Sequence, residues 1–278
     1  MIDETRPQAP TEIRRPRFKA VPIRVVLPNL VTLLALAMGL TAIRFAVEGR
    51  YETAALFIIG AAILDGLDGR IARALKATSR FGAELDSLAD FVGFGVAPAL
   101  TLYFWSLHEI KSFGWFAALV FAIAAALRLA RFNVMIDDPS RPAWAANFFV
   151  GMPAPAAACM ALMPLYLHYS VLHLPGAKTL APYHIAYLLL LAFLMVSRIP
   201  HFSGKRIGRI PREYFVFILL AIVAIGILLA TWPMEMLVVL SLVYLALIPV
   251  AVRRHNAHLA EDAKAAQAAA APPEKPAQ

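Results

Sequence analysis

Four aspartates, Asp65, Asp68, Asp86 and Asp90, fall within ILDGLDGRIARALKATSRFGAELDSLAD, a stretch that joins two strongly apolar segments. Ionisable groups at the edge of an apolar segment are costly to bury and point to a functional site. Asp65 and Asp68 stand three residues apart and Asp86 and Asp90 four apart, so each pair shares one face of a helix. A short basic turn between the helices lets the two pairs converge. Carboxylates this close repel, and a cation among them resolves the conflict. An all-oxygen donor set suits Mg²⁺, Mn²⁺ or Ca²⁺, whereas zinc recruits His or Cys, and this stretch contains neither. Hard cations together with Arg73 and Arg80 are what a phosphate-bearing substrate requires. Gly66, Gly69 and Gly82 leave room for a helix or a nucleotide to approach the backbone. The plainer alternative, a turn in which Asp-Gly pairs and local arginines form solvated loop charge, explains neither the glycines nor the second carboxylate pair.

The elements that must position these residues are membrane-spanning. The 278-residue chain is 60% hydrophobic and 16% charged, well outside the composition of a soluble domain. Eight apolar segments approach the length of about 20 residues that crosses a bilayer: 28 to 47, 52 to 75, 84 to 107, 113 to 132, 148 to 170, 182 to 199, 213 to 231 and 235 to 252. Their lack of alternation excludes barrel strands, which makes the expected fold an all-α polytopic helix bundle. Asp86 and Asp90 then lie in the opening turns of the third segment, where the helix dipole favours anions. With the N-terminus inside, the external side holds only Arg44, Arg50, Lys111 and Lys178 of the 26 basic residues. This asymmetry predicts cytoplasmic termini and places the acidic cluster on the cytoplasmic side.

The same asymmetry accounts for the net charge of +8. A basic rim facing anionic lipid needs no nucleic-acid partner. Residues 1 to 22 read as a polar cytoplasmic arm unlike a signal peptide, 23 to 254 as one membrane domain, and 255 to 278 as a low-complexity cytoplasmic tail beginning with a short helical extension. The single cysteine, Cys159, reads as core packing.

Asp65, Asp68, Gly69, Ala72, Arg73, Gly82, Asp86 and Asp90 match in every spacing the signature of the CDP-alcohol phosphotransferase family, which this chain therefore resembles. The resemblance implies that Asp65, Asp68 and Asp86 ligate a pair of divalent ions, Mg²⁺ or Mn²⁺. It also implies that Asp90, part of the same metal-holding cluster, is the general base on the acceptor hydroxyl. The segments LDSLADFVGFGVAPA, ALRLARFNV and FVGMPAPAAA look like the phosphatidylserine synthase branch, and Ser87 stands where phosphatidylglycerophosphate-forming relatives tend to carry proline. This branch implies CDP-diacylglycerol and L-serine as substrates, phosphatidylserine and CMP as products, a homodimer, and a bacterial inner-membrane location. Glycerol 3-phosphate, inositol phosphate and choline are the alternative acceptors.

On the same resemblance, the CDP-lipid is expected to meet Asn29, Thr32, Gly66, Gly69, Ala72, Arg73, Arg80 and Gly82, with Asn29 and Thr32 in LPNLVTLLALAMG facing the nucleotide. Arg128 and Arg131 are candidates for a phosphate or the acceptor carboxylate, with Asn133 beside them. Their bland alternative is a pair of positive-inside anchors. The basic loop with Arg198, Ser203, Lys205 and Arg206 reads as solvated topology charge. His168, His173 and His184, with Tyr103 and Trp105, are expected at the external interface. A cation-coupled transporter is the alternative of a different class, but the outer halves of the segments lack the further carboxylates that an ion path needs.

Overall fold

The computed structural model of the protein describes residues 23–136, 148–175, 177–202 and 214–270. The arm 1–22, the loop residues Arg141, Ser203, Lys205, Arg206, Arg209 and Arg212, and the tail 271–278 lie outside the described residues.

The described chain is helical apart from one short strand pair. Helix α1 (Ile23–Val47) and α2 (Tyr51–Ala74) form a hairpin. It closes through Gly49 at φ +76, a left-handed conformation that glycine adopts without cost. A tight turn leads to α3 (Arg80–Asp90), which passes without interruption into a π-helical stretch (Phe91–Val96) and α4 (Ala97–Trp105). A 3₁₀ turn (Leu107–Ile110) precedes α5 (Lys111–Ile136). Strand β1 (Phe148–Val150) pairs antiparallel with β2 (Pro200–Phe202), with Phe149 opposite His201. Between the strands lie α6 (Ala154–Ala161), α7 (Met163–Tyr169) and α8 (Ala177–Val196), and the chain continues through α9 (Phe215–Thr231) and α10 (Pro233–Ala270).

Among the described residues, five helical stretches are long and apolar enough to cross a membrane: Val26–Val47, Arg80–Trp105, Leu107–Met135, Ala177–Val196 and Pro233–Ala257. The protein is an integral membrane helix bundle. Its core is rich in alanine, with Ala42, Ala54, Ala55, Ala97, Ala157 and Ala158 fully enclosed around Ile58, Phe94 and Phe121. Small residues bring helix backbones close where hydrophobic burial between helices gives little drive. Gly39 of α1 packs closely on the π-helical stretch, where a Cβ on Gly39 would stand 2.9 Å from Gly93 Cα.

Several expectations from the sequence change in the structure. The segment 148 to 170 is not one helix: it opens as β1 and then breaks into α6 and α7. Proline lies at the start of both helices, and the intervening Leu162 has ψ −1, so the backbone bonds of a continuous helix are lost there. The third segment begins earlier than its apolar run, because Ser79 caps α3 by accepting the Gly82 N–H at 3.0 Å. Asp90 is therefore the last residue of α3, and neither Asp86 nor Asp90 sits in an opening turn. The last helix continues to Ala270, through an alanine-rich stretch with the highest intrinsic helix preference. Trp105 and His184, expected at the interface, are buried and stacked with ring centroids 5.0 Å apart, and His184 Nδ1 is paired with Ser106 Oγ at 2.8 Å.

Candidate active site

The acidic cluster forms where α1, α2 and α3 meet. Asp65 and Asp68 come from the last turns of α2, and Asp86 and Asp90 from the far half of α3. Carboxylate oxygens of Asp65, Asp68 and Asp86 all lie within 4.8 Å of one another. Asp90 joins this group through Asp65, with which it shares a hydrogen-bonding geometry, and it also faces Asp86. All four aspartates line one small cavity with Thr32 and Gly93.

Each position has a local cause. The turn from Leu75 to Ser79 reverses the chain, and Lys76 takes φ 50 there. The Ser79 cap then sets where α3 starts and so which of its residues face α2. Immediately after Asp90 the helix widens into the π-helical stretch, a feature that often accompanies functional sites because it shifts the register of the side chains that follow.

Thr32 of α1 is buried, and its hydroxyl donates to Asp68 Oδ2 at 2.6 Å. The Pro28 carbonyl lies farther from the same oxygen, at 3.2 Å. A hydroxyl has one proton, and the shorter contact to a carboxylate is the stronger bond. Asp68 is thus oriented by a neighbour outside its own helix. Asn29, one turn earlier, abuts Gly82: a Cβ on that glycine would come 2.9 Å from Asn29 Oδ1 and 3.1 Å from Ser79 Oγ. Gly82 is what allows α1 and α3 to close around the cluster.

The remaining sequence candidates separate into groups. Around Gly66 the space where a side chain would lie is open among the described residues, while the same position at Gly69 meets the Arg73 guanidinium. Arg73 and Arg80 are exposed, and Ala72 is half-buried, its carbonyl accepting the Ala77 N–H. Arg128 of α5 is buried, faces Asp90 and Asp65, and lies 5.3 Å from the Phe132 ring centroid. Asn133 donates from Nδ2 to Ser87 Oγ at 3.0 Å, tying α5 to α3 next to the cluster. Arg131 turns elsewhere: its Nη1 donates to the Val196 carbonyl at 2.7 Å, satisfying the end of α8. His168 stands beside Trp105 at the far end of the bundle from the cluster.

Two neighbours were not singled out from the sequence. Tyr244 of α10 interacts electrostatically with Arg128, and its ring stacks on His201 of β2 at 6.2 Å with an interplanar angle of 14°. A polar residue midway through an apolar helix is the signal that would have found Tyr244. His201 has no comparable signal, since its position depends on strand pairing with residues about fifty positions earlier.

The donor set fits a divalent metal. Three carboxylates converge from two helices with oxygens at mutually bridging distances, and the facing Arg128 guanidinium does not by itself balance four carboxylates. With no thiolate or imidazole in the group, the preference is for a hard cation. Such a site can hold and neutralise a phosphate-bearing ligand while leaving a carboxylate, Asp90, beside it as a proton acceptor.

Comparisons with known proteins agree with this chemistry. A protein of Mycobacterium leprae named CDP-diacylglycerol–serine O-phosphatidyltransferase is 42% identical over 245 residues, covering 87% of this chain and 79% of that protein. Proteins of the same name from Helicobacter pylori, 36% identical over 65% of this chain and 73% of theirs, and from Bacillus subtilis, 35% identical over 64% and 91%, are also similar. The model of the CDP-alcohol phosphatidyltransferase family matches residues 25–196, which run from α1 to the end of α8 and include the whole acidic cluster, and the chain belongs to that family.

Proposed function

We propose that the protein transfers the phosphatidyl group of CDP-diacylglycerol to the hydroxyl of L-serine, giving phosphatidylserine and CMP. The observation that carries this reading is the convergence of Asp65, Asp68 and Asp86 within 4.8 Å, with Asp90 at their side. The relatives' shared name supports serine as the acceptor.

In this reading Asp65, Asp68 and Asp86 hold divalent metal, Mg²⁺ or Mn²⁺ as a pair of ions, which would neutralise the pyrophosphate of the CDP-lipid. Thr32 keeps Asp68 turned toward that role. Asn29, Gly66, Gly69, Ala72, Arg73, Arg80 and Gly82 border the nucleotide, with the glycines leaving backbone within reach and the arginines meeting phosphate. Asp90 accepts the proton of the serine hydroxyl. The serine oxygen bonds to the phosphorus carrying diacylglycerol, and the bond from that phosphorus to the CMP oxygen breaks. Arg128 stands on the α5 side of Asp90, placed to meet an acceptor that approaches it.

The finer architecture belongs to the same proposal. The helix pairs arrange as eight spans with both termini cytoplasmic, residues 23 to 254 forming the membrane domain between a polar arm and a tail. The cluster then faces the cytoplasm of a bacterial inner membrane, where both CDP-lipid and serine reach it, and the working unit is a homodimer. The basic residues along the inner ends of the segments support this orientation.

The deciding experiment uses purified protein with CDP-diacylglycerol labelled in the phosphatidyl group, offered L-serine, glycerol 3-phosphate, inositol phosphate or choline in turn. Labelled phosphatidylserine with equimolar CMP is the expected result. No product with serine, alongside product with another alcohol, would overturn the choice of acceptor.

A further inference from the structure

The proposed chemistry leaves two polar atoms near the cluster without a role. The Tyr244 hydroxyl and His201 Nε2 are both enclosed and have no hydrogen-bond partner among the described residues, although buried polar groups in folded proteins are nearly always paired. His201 is 1% exposed. The two rings stack on each other, so both atoms belong to one patch built by β2 and α10. That patch is linked to the catalytic cluster by Arg128, which interacts electrostatically with Tyr244 and with Asp90 and Asp65.

The hydrogen-bonding capacities of the three groups are complementary. Nδ1 of His201 lies 2.9 Å from the Ile199 carbonyl oxygen, which can only accept, so Nδ1 carries the proton. Burial holds this imidazole below the ordinary histidine range and therefore neutral at pH 7. Nε2 is then a lone-pair acceptor suited to an N–H donor. The tyrosine hydroxyl can donate to an anion, and a guanidinium is the side chain best matched to a carboxylate. One acceptor, one neutral donor and one cation, arranged beside a proton-accepting carboxylate, match the ammonium, carboxylate and hydroxyl groups of a hydroxy amino acid.

We propose that Arg128, Tyr244 and His201 form the site that recognises the α-amino acid end of the acceptor, with Arg128 and the Tyr244 hydroxyl on its carboxylate and His201 Nε2 on its ammonium group. The assignment rests on serine being the acceptor, as argued above, and explains how serine is selected. Choline presents no carboxylate to Arg128 and no N–H to His201. Glycerol 3-phosphate offers a phosphate in place of the carboxylate and only a neutral hydroxyl in place of the ammonium group.

The test measures KM for L-serine and for CDP-diacylglycerol separately in the full-length wild type, Tyr244→Phe and His201→Phe, each of which keeps an aromatic ring in the stack. Each variant is expected to raise KM for serine by about ten-fold or more, the scale of losing one hydrogen bond to a charged group, while KM for CDP-diacylglycerol stays within about two-fold. The intact lipid KM is also the check that each variant is folded. A second readout is 2-amino-1,3-propanediol, which is serine with a hydroxymethyl group in place of the carboxylate. The wild type should prefer serine to it strongly, and Tyr244→Phe should narrow that preference. Serine KM unchanged in both variants, or both KM values rising together, would overturn the assignment. A wild type that makes product with another alcohol and none with serine would overturn the serine reading and this site with it, and the wild-type assay alone tells that failure apart.

Discussion

The Thr32 hydroxyl on α1 donates to Asp68 Oδ2 on α2 at 2.6 Å, a bond between residues 36 positions apart that ties the opening helix of the bundle to its acidic cluster. Partners of this kind orient a metal-binding carboxylate and typically tune metal affinity by about 10- to 100-fold. Thr32→Val removes the hydroxyl at nearly constant shape. We expect the Mg²⁺ or Mn²⁺ concentration giving half-maximal activity to rise by about that factor, measured by metal titration at saturating substrates. An unaltered titration curve would show that Asp68 needs no such support.

Asp90→Asn keeps the size of the side chain and removes its capacity to take a proton. Turnover is expected to fall by about 10²- to 10⁴-fold, the usual contribution of a general base. Binding of CDP-diacylglycerol, measured by equilibrium titration, should persist. Retained turnover would exclude Asp90 as the proton acceptor.

Gly82→Ala places a methyl group 2.9 Å from Asn29 Oδ1. Either Asn29 moves or α3 shifts away from α1, at a cost of about 1–3 kcal/mol as for other overpacked sites. A lower thermal unfolding midpoint and a higher KM for CDP-diacylglycerol are the expected results. If neither changes, the approach of α1 to α3 is looser than the geometry indicates.

Arg131→Met retains the apolar stem but leaves the Val196 carbonyl without its charged donor. Hydrogen bonds to charged groups contribute about 1.5–3 kcal/mol, so the loss is expected as reduced stability in denaturant unfolding. A raised KM for serine at unchanged stability would instead return Arg131 to the acceptor site.

Chelation tests the donor set. EDTA should abolish CMP release, and added Mg²⁺ or Mn²⁺ should restore it, while Zn²⁺, which prefers nitrogen and sulfur ligands, should restore it poorly. Full activity in excess chelator would remove the metal from the reading.

Much of this site was legible in the chain because its central spacings are local. Asp65 and Asp68 share one helix and Asp86 and Asp90 the next, so a helical period and a short turn were enough to anticipate convergence. Arg128, on α5, was singled out from the sequence and does face Asp90. Arg131, three residues on, satisfies the end of α8 instead. One helix face does not decide which of its side chains meets a given neighbour, since that depends on the packing angle of the next helix.

By itself, then, the sequence of the four aspartates and their glycines pointed to a metal-holding site, and the apolar segments determined a membrane helix bundle. These properties follow from composition and from contacts within a few turns. Tertiary structure alone decided that Ser79 starts α3, that the 148 to 170 segment breaks at Leu162, that Thr32 orients Asp68, and that Tyr244 and His201 meet beside Arg128. The last two join residues far apart in the chain. Their positions depend on how close small residues such as Gly39 and Gly82 let the helices come, a distance that no local pattern encodes.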